Sequence, residues 1–278
     1  MQEAAPPTPP AVAPAPASLD DTLALMRDLR RRCEWDRAQT HESLRPYLVE
    51  EAYEVDDALR ELGEAATDGE RARRNGALRD ELGDLLLQVV FHSVVAEERG
   101  AFGLRDVAGA LVAKMRDRHP HLYPPPGADA PAERPDWERM KARRRRAIDE
   151  GLPAGLPALH RAHRLQDRAA GVGFDWPDAA GPAEKVAEEL GEVRAELARP
   201  APDPAAVEAE LGDLLFAVVN LCRKAGVHAS LALDRANAKF ARRFGAVERL
   251  AAERGLDVRE AGLAALDALW DEAKAAER

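Results

Sequence analysis

The chain has 278 residues, 46% of them hydrophobic and 32% charged, with a net charge of −10, so it carries enough apolar side chain to fill cores without disulfide staples. That acidity argues against wrapping nucleic acid through phosphate neutralisation, yet it leaves an anionic substrate open, because a bound cation reverses the local sign. Cys33 and Cys222 lack Cys or His neighbours at metal-ligand spacing, no basic-then-apolar leader is present, and no apolar run reaches spanning length; a cytoplasmic protein with no membrane partner is expected.

Residues 1–18 carry six prolines and six alanines and read as a disordered, polyproline-like tail. From Leu19 to about Arg118 the apolar spacing becomes helical, in four segments. Leu48, Ala52, Val55, Leu59 and Leu62 recur three and four apart and mark one face of a helix that Gly63 ends. The next helix, about Arg71 to Arg99, is apolar almost all round after Asp84 and is therefore expected to be buried. Its polar residues Glu81, Asp84, Gln88 and His92 fall on one stripe, which must face water or a metal. His119 and His121, either side of Pro120, read as a helix-ending cap. Further prolines follow as far as Pro135, and a linker is expected over 124–157, with a short helix through Arg146 and a turn at 151–157. The basic run Arg143–Arg146, with Lys141 and only Trp137 as an aromatic neighbour, reads as a solvated helix end, so no nucleic-acid partner is expected.

The second half repeats the first. ELGDLLLQVV (81–90) and ELGDLLFAVV (210–219) agree at eight of ten positions, and VEEAYEV (49–55) answers AEELGEV (187–193) with every glutamate in register. In this copy Val186, Leu190, Val193 and Leu197 are expected to form the buried stripe, and Pro200, Pro202 and Pro204 break the chain before the next helix. The reading is all-α: a tail (1–18), a helical domain (19–123), the Pro-rich linker (124–157) and a duplicate helical-bundle domain (158–278). Bundles with such thin cores expose apolar stripes, and a two-fold homodimer is expected to complete them.

Each half sets Glu-Glu-x-x-Glu on one helix and Glu-x-x-Asp on a later one: Glu50, Glu51, Glu54 with Glu81, Asp84, then Glu188, Glu189, Glu192 with Glu210, Asp213. On an exposed face such pairs cost only about 0.2–0.5 kcal/mol each. On helices that are otherwise apolar, two carboxylates 5 Å apart repel by about 3 kcal/mol at an effective dielectric near 20, and the cluster calls for cations or protons. Oxygen-only donors suit Mg²⁺, with Mn²⁺ as the alternative, and do not suit zinc.

These residues, with CEWD (33–36), QTHESLRPYLVEEAYEV (39–55), RHPHLY (118–123), RLQDRAAGVGFDWPD (164–178) and NAKFARRF (237–244), resemble the tandem-domain MazG-type nucleoside triphosphate pyrophosphohydrolases of the all-α dUTPase-like group, over roughly residues 19–278. Glu34 stands where the family's opening motif usually has proline. The resemblance implies Mg²⁺-dependent hydrolysis of nucleoside triphosphates between the α and β phosphates, to a monophosphate and pyrophosphate, with broad base selectivity. It implies Glu189, Glu192, Glu210 and Asp213 as metal ligands, Glu51, Glu54, Glu81 and Asp84 as their counterparts, and Glu188 as the residue that steers or deprotonates water. Lys185, Asn237, Lys239, Arg242 and Arg243 would bind the nucleotide, and Trp270, expected from its spacing to anchor a core, would stack on the base. In the first half Val112 replaces the asparagine and Asp117 stands where Arg242 would, which makes the second half the main catalytic site. The rivals are a non-catalytic helical scaffold that binds nucleotide or metal, and a di-metal carboxylate bundle. The latter calls for Glu-x-x-His, and no histidine here has Glu three positions before it.

Overall fold

The structure, a computed structural model, describes residues 17–124, 126–127 and 147–277. Residues 1–16 of the expected tail lie outside the described residues, as do the helix expected through Arg146, Trp137, Lys141 and the run Arg143–Arg146. Ten α-helices and no strand are found among the described residues, in two compact units divided between Arg134 and Pro135. The first unit holds α1 (Leu19–Arg32), α2 (Glu34–Ala38), α3 (His41–Gly63), α4 (Asp68–Glu98) and α5 (Leu104–Arg118). The second holds α6 (Ala158–Ala170), α7 (Ala180–Leu197), α8 (Pro204–Lys224), α9 (Ala229–Glu253) and α10 (Gly262–Ala276).

Local chemistry sets the helix starts. Ser18 Oγ accepts from the Asp21 backbone N–H at 3.1 Å while the Asp21 carboxylate accepts from the Ser18 N–H at 2.8 Å, a reciprocal capping box; Thr40 with Ser43 and Thr67 with Glu70 repeat it at α3 and α4. At α8 the Asp203 side chain accepts from the Ala205 N–H at 3.0 Å, and Pro204 takes the first helical position, where a missing N–H costs nothing. His119 caps the end of α5, as its place before Pro120 suggests.

The duplicated elements are two helical hairpins: α3 packs along α4, and α7 along α8. In the first unit α1 and α5 also pack on α4, and Leu23, Met26, Leu44, Val90, Phe91, Val94 and Val95 form the core. In the second, α6 bridges α8 and α9, while Val247 and Ala251 of α9 and Leu269 and Ala273 of α10 form a cluster of their own. Ile148 and Glu150, inside the expected linker, are tied to α6: Arg168 donates to their carbonyls at 2.7 and 2.9 Å.

Two burial expectations are corrected. The C-terminal half of α4 is not covered all round: Val90, Phe91, Val94 and Val95 are buried, but Leu87 and Val89 are exposed, because α1, α3 and α5 do not enclose every face. Of the second-half stripe only Val193 is buried, and Leu190 and Leu197 are exposed, since α7 packs chiefly on α8 and offers its remaining faces to solvent. On α3, likewise, Val55 is buried while Leu48 and Leu59 are exposed.

A histidine cluster ties α6 to the start of α9. The His228 ring lies 5.1 Å from His160 and 4.6 Å from His163, centre to centre. Burial, reinforced by the neighbouring imidazoles, pushes His160 and His163 below the ordinary histidine range; for His163 an opposing pull comes from Asp167, 3.6 Å from Nε2. The unfolded chain takes up these protons near pH 6.5 and the folded chain resists them until lower pH. This contribution to stability is therefore complete above about pH 6.5 and is lost as pH falls through the depressed folded value. Thermal unfolding should show a lower Tm at pH 5.5 than at pH 7.5, and the gap should narrow in His160→Gln/His163→Gln; an unchanged gap would assign the pH dependence elsewhere.

Candidate functional site

The hairpins bring the acids together as the spacing predicts. One oxygen each of Glu51, Glu81 and Asp84, and one each of Glu189, Glu210 and Asp213, lie within 4.8 Å of one another in their own units. A hard cation about 2.1 Å from each oxygen allows two of them to stand up to about 4.2 Å apart, so either set closes on Mg²⁺ or Mn²⁺ with small side-chain shifts. The fourth acid of each set lies close to the rest: Glu54 bears on Glu51, and Glu192 on Glu189.

The electrostatics of the two sites differ. In the first, Glu51 is raised above the usual carboxylate range by burial, by the Glu54 hydrogen bond and by the charges of Asp84 and Glu54. Glu81 is raised by burial and by Glu54, Asp84 and Asp80. Gln88, 4% exposed, lies against Glu51 and slightly offsets its rise, and its Oε1 has no partner among the described residues. Of the expected polar stripe, Gln88 is buried beside the acids, His92 stacks on His41 and Asp84 is exposed. In the second site Lys185 Nζ stands 2.6 Å from Glu189 and 2.9 Å from Glu188. Glu189, 5% exposed, is lowered by that lysine despite its burial, and Lys185 is raised in return. Glu192 is raised, first by its contact with Glu189 and then by the charges of Glu189 and Glu210.

Lys185, Glu189 and Asp213 also line a pocket of about 600 Å³, together with the rings of Phe174, Trp176 and Phe216. Gln166 donates to the Phe216 carbonyl at 2.8 Å, leaving its buried Oε1 without a partner among the described residues. Asn220 accepts from Arg223 at 2.9 Å, and Arg223 and Lys224 also hold Asp175. Burial alone would raise Asp175, but hydrogen bonds from Arg223 and Lys224 outweigh it and hold the carboxyl low. This network pins the segment that carries Phe174 and Trp176 to the end of α8. Gly181 completes the seat: a Cβ there would run into the Trp176 ring.

The sequence profile of the MazG nucleotide pyrophosphohydrolase domain matches residues 39–123 and 182–247, which include both acidic hairpins. The chain is 41% identical over 271 residues to the nucleoside triphosphate pyrophosphohydrolase of Escherichia coli K12, covering 92% of this chain and 97% of that protein. It is 41% identical over 263 residues to the nucleoside triphosphate pyrophosphohydrolase/pyrophosphatase MazG of Thermotoga maritima, covering 92% and 95%. It is 38% identical over 262 residues to an uncharacterised protein of Bacillus subtilis, of which the match spans 51%. The chain belongs to the MazG family. Its two acidic hairpins are the tandem MazG units that the repeat in the sequence suggests.

Within this MazG chain the other expected nucleotide ligands stand apart from the pocket. Asn237, Lys239 and Arg242 are exposed on α9. Arg243 is engaged by Glu277 at 2.6 Å and lies over the Trp270 ring at 5.8 Å. Trp270 packs on Phe240 and on the cluster shared by α9 and α10, and none of these residues lines the pocket beside Glu189. Phe174, Trp176, Phe216 and Gln166 are the pocket residues that sequence reasoning did not single out. The signal was in the segment GFDWP (173–177), two aromatics among turn formers just ahead of the acidic helix.

Proposed function

We propose that this chain hydrolyses nucleoside triphosphates to the monophosphate and pyrophosphate, with Mg²⁺ or Mn²⁺ held by carboxylates and the main turnover in the second unit. The observation that carries this reading is one pocket that combines Glu189 and Asp213, the Lys185 cation and three aromatic rings. The relatives' names supply the bond choice, since release of pyrophosphate requires cleavage between the α and β phosphorus atoms. A divalent ion, when bound, would offset charge developing on the phosphate oxygens and lower the pKa of water. Glu189, Glu192, Glu210 and Asp213 would hold it.

The chain's own residues do the rest. Lys185, released from Glu188 and Glu189, is placed to meet phosphate oxygens, and Glu188, freed of its ion pair, is placed to accept a proton from attacking water. The rings of Phe174, Trp176 and Phe216 offer π-faces that any base can use, which fits broad selectivity. Lys239, Arg242 and Arg243 on α9 are the further cations we assign to the phosphates. The first unit has no such lysine: Tyr47 aligns with Lys185 and Asp117 with Arg242, which favours turnover in the second unit.

Separating the products decides the matter. With Mg²⁺ and each nucleoside triphosphate, monophosphate and pyrophosphate should form in equal amounts. Release of diphosphate and orthophosphate would reject the bond choice, and no turnover with either metal would favour a scaffold that only binds.

A further inference from the structure

The two acidic sites differ in one charged group, and that difference bears on when each takes up its ion. We propose that Lys185 is a resident cation that makes the second unit bind a divalent ion only together with a triphosphate, whereas the first unit's carboxylates bind the ion alone. The inference rests on the metal reading above.

In the second unit a divalent ion and the Lys185 ammonium compete for the same Glu189 carboxylate, which the lysine holds at 2.6 Å. An ion arriving by itself must displace the ammonium or stand beside it, and like charges at that range cost binding severely. A triphosphate removes the conflict. It brings its own negative charge, gives Lys185 phosphate oxygens in exchange for Glu188 and Glu189, and leaves the carboxylates free for the metal. Ion and nucleotide therefore bind with positive coupling, and by linkage each tightens the other by the same factor.

The first unit lacks the competitor. Its aligned position is Tyr47, and the charges that raise Glu51 and Glu81 are carboxylates, from Glu54, Asp80 and Asp84. A second observation points to a ligand there. Gln88 is 4% exposed, is held against Glu51, and has an Oε1 without a partner among the described residues, whereas the aligned position in the second unit is Ala217. Crowded, partly desolvated carboxylates with no lysine gain most from a bare cation. One site would thus be filled by free metal, and the other would be loaded by its substrate.

Mn²⁺ binding to the full chain, followed by electron paramagnetic resonance and water-proton relaxation, tests this without any turnover. Mn²⁺ alone should fill one tight class of site, lost in Glu51→Gln/Asp84→Asn and kept in Glu189→Gln/Asp213→Asn. Adding α,β-methylene-ATP should create a second class with the opposite dependence on those variants. Lys185→Met should bring the second class into view without nucleotide, tightened at least about tenfold, while Lys185→Arg keeps the wild-type pattern. Two equal classes in the unaltered chain without nucleotide, or no effect of Lys185→Met, overturns the proposal while leaving the metal reading intact. No bound Mn²⁺ with or without the analogue overturns both.

Discussion

Glu189→Ala/Glu192→Ala should lower kcat/KM by at least about a hundredfold, the order lost when a group that stabilises transition-state charge is removed, and Glu51→Ala/Glu54→Ala should keep most of the activity. The asymmetry follows from what surrounds each set. Glu189 shares a pocket with Lys185, Asp213 and aromatic rings, whereas Glu51 is raised by the charges of Asp84 and Glu54. A folding artefact is separable. Glu51 and Glu81 are raised first by burial and then by neighbouring carboxylates, so the charged acids cost stability in metal-free protein, and alanine is a good helix former. Glu51→Ala/Glu54→Ala should therefore leave metal-free Tm unchanged or higher, and should reduce the rise in Tm on adding Mn²⁺. Activity lost in the first-unit variant and kept in the second would reverse the assignment of the main site.

Much of this was legible in the chain because duplication displays one constraint twice. Glu-x-x-Asp on a helix that is otherwise apolar has few uses besides a shared cation, and ELGDLL in both halves marks the same acids twice. The end of α3 at Gly63 was legible, while Pro204, read as breaking the chain before the next helix, is the first residue of α8. Burial was less so. Periodicity finds an apolar face but not its partner, and Leu87, Val89, Leu190 and Leu197 are exposed because the neighbouring helices within each unit do not reach them. Lys185 was legible one turn before Glu189, but its ion pairs with Glu188 and Glu189 were not. The aromatic pocket escaped notice for a different reason. Phe174 and Trp176 sit in a non-helical segment without periodicity, and the network that pins them joins Asp175 to Arg223 and Lys224 across some fifty residues.

That pocket sets up the sharper test of substrate recognition, because Trp176 and Trp270 compete for the role of base platform. Stacking on an aromatic ring contributes about 1–3 kcal/mol per base, so Trp176→Ala should raise KM roughly five- to a hundredfold with a smaller change in kcat. Gly181→Ala should act in the same direction although it removes nothing, since its methyl group would occupy the space of the Trp176 ring. Trp176→Phe keeps a π-face and should restore much of the loss. Trp270 is placed differently: it packs on Phe240 and beside Val247, Ala251, Leu269 and Ala273, and Arg243 covers its ring. Trp270→Ala leaves a void in that cluster, so its main effect should be a lower Tm. A KM effect confined to Trp270→Ala, with Trp176→Ala and Gly181→Ala silent, would move the base to α10, where Arg243 and Lys239 would have to carry its phosphates.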